Sequence, residues 1–323
     1  MRIHIQNHAD NIGEPLTMTH WEEAVARAGA RPHEVTVGHT MEDYTAAMQH
    51  AEALVTGTRG TRALFPVDAP KLKMVFCTSA GLDIVPFDKI QPGVQVMNNS
   101  GTHGPKAGEY GIMAILMLAN GMPKLATAQQ AGKWRRVTGS VLAGRTVTVL
   151  GLGSLGGGVA ERASQFGLRV IGVRTKAEPH PFCERVVATA DLDSVLPETE
   201  FLVITLPLTK NTQNIIDRRR LALLPNYAGV VNIGRGPLLD QDALCDMLEA
   251  GTLSGAVLDV FVPEPIPDGH RLWTTPNLVI TPHVSCDDPI TYNSRSFDIF
   301  LENVAAFEAG LPLPNHFLPE RGY

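Results

Sequence analysis

Short runs of Val, Ile and Leu recur along this chain, each followed by a polar or helix-compatible stretch. The clearest are Lys73–Cys77, Thr146–Leu150, Arg169–Val173, Phe201–Thr205, Gly229–Ile233, Ala256–Val260 and Leu278–Thr281. Several lack the apolar–polar alternation of a half-exposed strand, which is the pattern of parallel strands covered on both faces. Val159–Phe166 fits a helix, and Asp240 is placed to cap another that stops at Gly251. Strand–helix alternation of this kind predicts an α/β protein with a largely parallel sheet.

Two such units are predicted. The first has strand candidates at Arg2–Ile5, Glu34–Val37, Ala53–Thr56, Lys73–Cys77 and Gln95–Met97. The second runs from about residue 101 to Cys286. Beyond it, Phe297, Phe300, Leu301, Val304 and Phe307 repeat at helical spacing, so a final helix is expected to pack back on the first unit. A length of 323 residues agrees with two domains. The boundaries read as 1–100 plus 287–323 for one and 101–286 for the other.

Composition narrows the function class. With 27 basic and 33 acidic residues, the net charge of −6 offers no basic excess for phosphate neutralisation, so no nucleic-acid partner is expected. No long apolar segment or basic arm suggests a membrane. The N-terminal Met-Arg-Ile-His-Ile-Gln reads as a strand rather than a signal sequence. Cys77, Cys183, Cys245 and Cys286 are widely spaced, so neither a metal site nor a disulfide framework is expected, and a reducing cytoplasm fits.

The sharpest local motif is Gly151-Leu152-Gly153-Ser154-Leu155-Gly156, between a strand and a helix. The first glycine permits the tight turn, the second lets a pyrophosphate approach, and the third allows helix and strand to pack closely. The motif predicts a dinucleotide site, with Gly157 and Gly158 unexplained by it. At the end of the next strand, a carboxylate would select NAD through the ribose 2′-hydroxyl. Here the residues are Arg174, Thr175 and Lys176, which suit a 2′-phosphate, so NADP(H) is favoured over NAD(H).

Three later segments begin at strand ends: Asn232-Ile233-Gly234-Arg235-Gly236, Asp259-Val260-Phe261-Val262-Pro263-Glu264-Pro265 and Thr281-Pro282-His283. Their residue types match reduction of a 2-keto acid. Arg235 would bind the substrate carboxylate and polarise its carbonyl. His283 would deliver a proton to the oxygen that receives charge, with Glu264 orienting the ring and favouring imidazolium. Asp259, near strand-end depth, is a candidate for the nicotinamide amide.

With these motifs, the chain resembles the D-isomer-specific 2-hydroxyacid dehydrogenases, particularly the glyoxylate/hydroxypyruvate reductase-like members. Further matching segments are Ser79-Ala80-Gly81-Leu82-Asp83 and Leu206-Pro207-Leu208-Thr209 with Asn211-Thr212. The resemblance implies two doubly wound parallel-sheet domains, Rossmann-like or flavodoxin-like, with the active site in a cleft between them. It implies Arg235, Glu264 and His283 as the catalytic set, and the N–H groups of Ala80 and Gly81 as substrate-carboxylate donors. It places Leu206, Pro207 and Thr212 along the cofactor and Ile233 and Asp259 near the nicotinamide, with Leu155 and Ser285 among the cofactor contacts. It also implies a homodimer built by the cofactor domain, using the helix Pro105–Leu118. A departure lies at Val284-Ser285-Cys286, where the family often has small residues after Pro-His. Trp134 and Trp273 lie in segments that point toward the cleft, without an assigned contact, and Arg218–Arg220 reads as a solvated helix face. The competing readings are a nucleotide-sensing, corepressor-like binding protein without turnover and a formate- or phosphite-oxidising enzyme of the same fold.

Overall fold

The computed structural model describes residues 1–9, 14–82 and 84–317. Asp83, the last residue of the Ser79–Asp83 motif, lies outside the described residues. The chain divides into two compact units, Met1–Thr102 with the chain from Asp288 onward, and His103–Asp287.

The first unit carries strands β1 (Arg2–Gln6), β2 (Glu34–Gly38), β3 (Ala53–Thr56), β4 (Met74–Cys77) and β5 (Gln95–Met97), all parallel, in the order β2-β1-β3-β4-β5. Its helices are α1 (Met18–Ala28), α2 (Met41–Met48) and the short α3 (Thr61–Leu64). The unit's fully buried central strands, Ala53–Thr56 and Met74–Cys77, carry an apolar cluster on each face. The helix that returns after the second unit completes one of them. Phe297, Phe300, Leu301 and Val304 form its buried stripe, with Trp21 set edge-on to Phe297 at 5.7 Å and Phe76 at 5.4 Å from Phe300.

The second unit begins with α4 (Gly104–Ala119) and α5 (Met122–Gln130), then β6 (Thr146–Leu150), α6 (Ser154–Gln165), β7 (Arg169–Arg174), β8 (Arg185–Ala188) and β9 (Phe201–Ile204). It continues with α7 (Arg218–Leu221), β10 (Gly229–Asn232), α8 (Gln241–Glu249), β11 (Gly255–Leu258) and β12 (Leu278–Ile280); the returning helix of the first unit is α9 (Tyr292–Glu308). The seven strands are parallel in the order β12-β11-β10-β9-β6-β7-β8. Two apolar clusters cover the two faces, which explains why the strand sequences lack alternation. Strand β8 escapes the sequence pattern. It is an edge strand of Arg185-Val186-Val187-Ala188 with no fully buried residue, so little apolar burial marks it.

Local signals place the helices. Asp240 accepts the Ala243 N–H at 2.9 Å to start α8, and Gly251, at φ 70°, follows its end. Helices α4 and α6 pack almost backbone to backbone. A Cβ on Gly158 would stand 2.1 Å from Gly104 O, and one on Gly108 would stand 2.6 Å from Gly158 O. Gly158, which the glycine motif left unexplained, is therefore a helix-packing residue. No single helix among the described residues is long and apolar enough to cross a membrane.

Candidate active site

In the second unit the strand order reverses between β6 and β9, the point where open α/β sheets form a crevice at the strands' C-terminal edge. The glycine loop leaves β6 there. Gly151 adopts φ 101°, a left-handed conformation that side chains resist, and its N–H bonds Val173 O at 2.8 Å. Around Gly153 nothing lies within 4 Å of a built Cβ, so the loop is open where a ligand would approach. On Gly156 a Cβ would stand 1.8 Å from Gly151 O and 2.6 Å from Thr205 Oγ1, so only glycine closes the turn. No side chain caps the N-terminus of α6. Its first N–H groups are left to an anion, which fits a dinucleotide pyrophosphate.

Leu206 packs over Gly151, across the crevice from the glycine loop, 3.1 Å from that residue's built Cβ. Thr212 braces the same loop by donating to Pro207 O at 2.7 Å and accepting from Thr209 N–H at 2.7 Å. Leu155, in the first turn of α6, is half-buried against the core. Arg174 ends β7 half-exposed, and Thr175 and Lys176 follow fully exposed. The Arg174 guanidinium has one acidic neighbour, Glu178, at 3.6 Å, too long for a firm pair.

Strands β10, β11 and β12 deliver the remaining groups. Asn232 ties its own turn together, accepting from Gly234 N–H at 3.1 Å and donating to Arg235 O at 3.0 Å. Gly236 passes so close to Phe261 O that a Cβ would lie 2.1 Å away. Arg235 is exposed at this turn, and its guanidinium donates to Gly234 O at 2.7 Å. On the neighbouring strand end, Glu264 Oε1 accepts from Phe261 N–H at 2.7 Å, and Oε2 meets His283 Nδ1 at 2.8 Å. The His283 side chain remains half-exposed, leaving Nε2 for chemistry. Glu264 and His283 are thus brought into contact, whereas Arg235 stands one strand over and bonds neither. Its charge is felt at the following turn, where it partly offsets the burial that raises the Cys286 thiol's pKa. Burial thus disfavours the Cys286 thiolate, the reactive form of the group.

Asp259 departs from the sequence expectation. Its side chain is wholly buried, and it accepts from Thr281 Oγ1 at 2.5 Å, Val284 N–H at 2.9 Å and Ser285 N–H at 2.9 Å. Tyr110 OH in turn meets Thr281 Oγ1 at 2.5 Å. The carboxylate is therefore a brace for the turn that carries His283, not an open contact for a nicotinamide amide. The turn needs bracing because His283 sits at φ 56°, which costs a residue with a Cβ. Its N–H also bonds Asp259 O at 2.9 Å. Ile233 and Ser285, both expected along the cofactor, are buried to 2% exposure, Ile233 within the core. Sequence reading missed Tyr110 and Thr281 as members of this network. Only the pairing of α4 with a distant strand end brings them together.

In the first unit, the loop after β4 holds Ala80 and Gly81. Asn98 Nδ2 donates to Ala80 O at 2.9 Å, and among the described residues no group accepts the N–H of Ala80 or Gly81. A cavity of about 160 Å³ lies at this unit's own strand-order reversal, where the chain leaves β1 and β3. It is lined by Asn7, Thr58, Arg59, Ser79 and Asn293 among others, of which only Ser79 belongs to a segment singled out from sequence. Thr58 Oγ1 is buried there with no hydrogen-bond partner among the described residues.

One other expectation changes. Arg218–Arg220 is not simply a solvated face: Arg218 pairs with Asp246, and Arg219 and Arg220 pair with Asp193, tying α7 to its surroundings. Most of α4 is buried within its own unit against α6 and the sheet, with Met113 its exposed large apolar side chain. Trp134 is 97% exposed, and Trp273 is half-exposed with its Nε1 on Pro267 O at 3.0 Å.

Residues 112–285 match the family described as D-isomer specific 2-hydroxyacid dehydrogenase, NAD binding domain. The chain is 31% identical over 283 residues to glyoxylate/hydroxypyruvate reductase B of Yersinia enterocolitica, covering 85% of this chain and 86% of that one. It is 32% identical over 262 residues to D-3-phosphoglycerate dehydrogenase of Methanocaldococcus jannaschii, 77% of this chain and 48% of that longer protein. Among solved structures, a D-isomer specific 2-hydroxyacid dehydrogenase from Xanthobacter autotrophicus, in complex with NADPH and MES, gives a TM-score of 0.77 at 28% identity over 99% of both chains. The NADPH-dependent glyoxylate/hydroxypyruvate reductase of Sinorhizobium meliloti, in complex with NADP and sulfate, gives 0.73 at 27% identity over the whole of both. This chain belongs to the D-isomer-specific 2-hydroxyacid dehydrogenase family, an oxidoreductase that moves hydride between a nicotinamide cofactor and a 2-hydroxy acid.

Proposed function

We propose that the protein is an NADPH-preferring reductase of small 2-keto acids of the glyoxylate or hydroxypyruvate type. The observation that carries this reading is the Glu264–His283 pair, 2.8 Å apart at the strand ends beyond the glycine loop. Arg235 holds the substrate carboxylate through two charge-assisted hydrogen bonds and polarises the adjacent carbonyl. The reduced nicotinamide supplies hydride to the carbonyl carbon. His283 gives its Nε2 proton to the carbonyl oxygen, and takes it back when a hydroxy acid is oxidised. Glu264, anchored by Phe261 N–H, holds the ring by Nδ1 so that Nε2 faces outward. The unpartnered N–H groups of Ala80 and Gly81 serve as further donors to the substrate carboxylate. The first unit is the substrate domain, and the second is the cofactor domain.

The preference for NADPH rests on Arg174, Thr175 and Lys176 at the end of β7, with no carboxylate where a ribose-binding one belongs. A homodimer formed through the cofactor unit is supported by the exposed apolar groups Trp134, Val141, Met113 and Met122 on that unit. Four unpaired cysteines suit the cytoplasm. The test is a panel of 2-keto acids assayed with NADPH and NADH in parallel, on the wild type and His283→Ala. Turnover with glyoxylate or hydroxypyruvate and NADPH, lost by at least about 100-fold in the variant with dinucleotide affinity retained, is expected. Tight nucleotide binding without turnover on any keto acid would instead describe a sensor.

A further inference from the structure

The loop after β7 carries a group that neither the glycine motif nor the Glu–His pair uses. The half-buried His180 points its Nε2 at the first turn of α6: apart from that helix's own backbone, it is the one atom near a Cβ built on Gly157, at 3.6 Å. The other ring nitrogen is occupied. Nδ1 accepts from Phe182 N–H at 3.5 Å and lies 3.7 Å from Cys183 Sγ. A neutral imidazole whose Nδ1 accepts carries its proton on Nε2. Burial, with the Arg174 charge as the second cause, lowers the His180 pKa and favours that neutral form. The Phe182 ring stands edge-on at 5.8 Å and helps to fix the ring plane. A donor therefore lies on the side of the first turn of α6 that faces the loop after β7, close enough to Arg174 to feel its charge. Gly157, the remaining unexplained glycine of the run, leaves the space between them free of a side chain.

We propose that His180 is a specificity-determining contact that donates its Nε2–H to the 2′-phosphate of the dinucleotide, beside Arg174, with Gly157 keeping that approach open. The inference rests on the NADPH reading above. Its test is direct binding, by calorimetry, of NADPH, NADH and adenosine 2′-monophosphate to the wild type, His180→Ala and Arg174→Ala. His180→Ala is expected to weaken NADPH and adenosine 2′-monophosphate about tenfold while leaving NADH within about twofold, which also reports an intact fold. Equal losses for both dinucleotides, or no loss, in His180→Ala, with the wild type selective for NADPH and Arg174→Ala less so, would remove His180 and leave the cofactor reading standing. A wild type that binds NADH as tightly as NADPH, unaffected by Arg174→Ala, would overturn the cofactor reading and this inference with it.

Discussion

Asp259→Asn separates a ligand contact from a structural brace. The carboxylate is fully buried and takes three donors: Thr281 Oγ1 and Val284 N–H on Oδ1, and Ser285 N–H on Oδ2. Asparagine keeps one acceptor oxygen, so the Oδ1 bonds survive without their charge. Its amide nitrogen, in place of Oδ2, would face the Ser285 N–H donor to donor. The loss is one hydrogen bond to a charged group, about 1.5–3 kcal/mol, plus a buried unsatisfied donor, about 1–3 kcal/mol, or roughly 2.5–6 kcal/mol together. Against a total stability of about 5–15 kcal/mol that is a large fraction of the whole. With a urea slope of about 1–3 kcal/mol per molar, the variant's unfolding midpoint should drop by at least about 1 M. The left-handed His283 backbone depends on the same turn, so kcat should fall at least about tenfold in parallel. Thr281→Ser, which keeps the hydroxyl, should lose far less on both counts. A variant with an unchanged urea midpoint and a defect only in nicotinamide affinity would refute the brace and restore Asp259 as a ligand contact.

Other outcomes follow from single observations. Gly156→Ala should lose dinucleotide binding by about 100-fold or more in a fluorescence titration, because its Cβ cannot occupy a point 1.8 Å from Gly151 O; near-normal affinity would show that the loop can open without cost. Gly153→Ala, with nothing within 4 Å, should keep its melting temperature and still weaken the dinucleotide, since the space it fills is the ligand's; undiminished binding would place the pyrophosphate elsewhere. Stability should also depend on pH through His4, which is buried and bonded to Thr36 and Gln6 and whose pKa burial lowers from 6.5. Below 6.5 the unfolded chain takes up the proton first, so this stability is present above that value and declines as pH falls toward the folded pKa. Urea midpoints measured between about pH 7 and 5 should fall less steeply in His4→Gln, and equal slopes would exclude His4 as the source.

The glycine loop was legible because its chemistry is local. Of three glycines at fixed offsets between a strand and a helix, Gly151 takes a left-handed φ, Gly153 leaves an open face and Gly156 meets the Gly151 carbonyl, all within six residues of chain. The α/β class was legible for a similar reason: doubly covered parallel strands must be apolar throughout, so they announce themselves as unbroken Val/Ile/Leu runs. Edge strand β8, half-exposed, sends no such signal. Asp259 shows the limit in the other direction. From sequence it stands at the same depth as the functional residues, and nothing local tells whether its carboxylate faces the crevice or the core.

Sequence alone determined the doubly covered strands, the order of the motifs along the chain and the chemical identities available at their ends, because these depend on periodicity and on near neighbours. Tertiary structure decided which of those groups touch. The parallel register of β10, β11 and β12 brings the ends of distant segments side by side, so Glu264 reaches His283 across a strand spacing while Arg235 remains one strand away. The same sheet swings α4 over the β12 end and makes Tyr110, Thr281 and Asp259 a hydrogen-bonded series. Contacts of that kind depend on crossover connections and strand order. Those are properties of the folded sheet, which no window of neighbouring residues encodes.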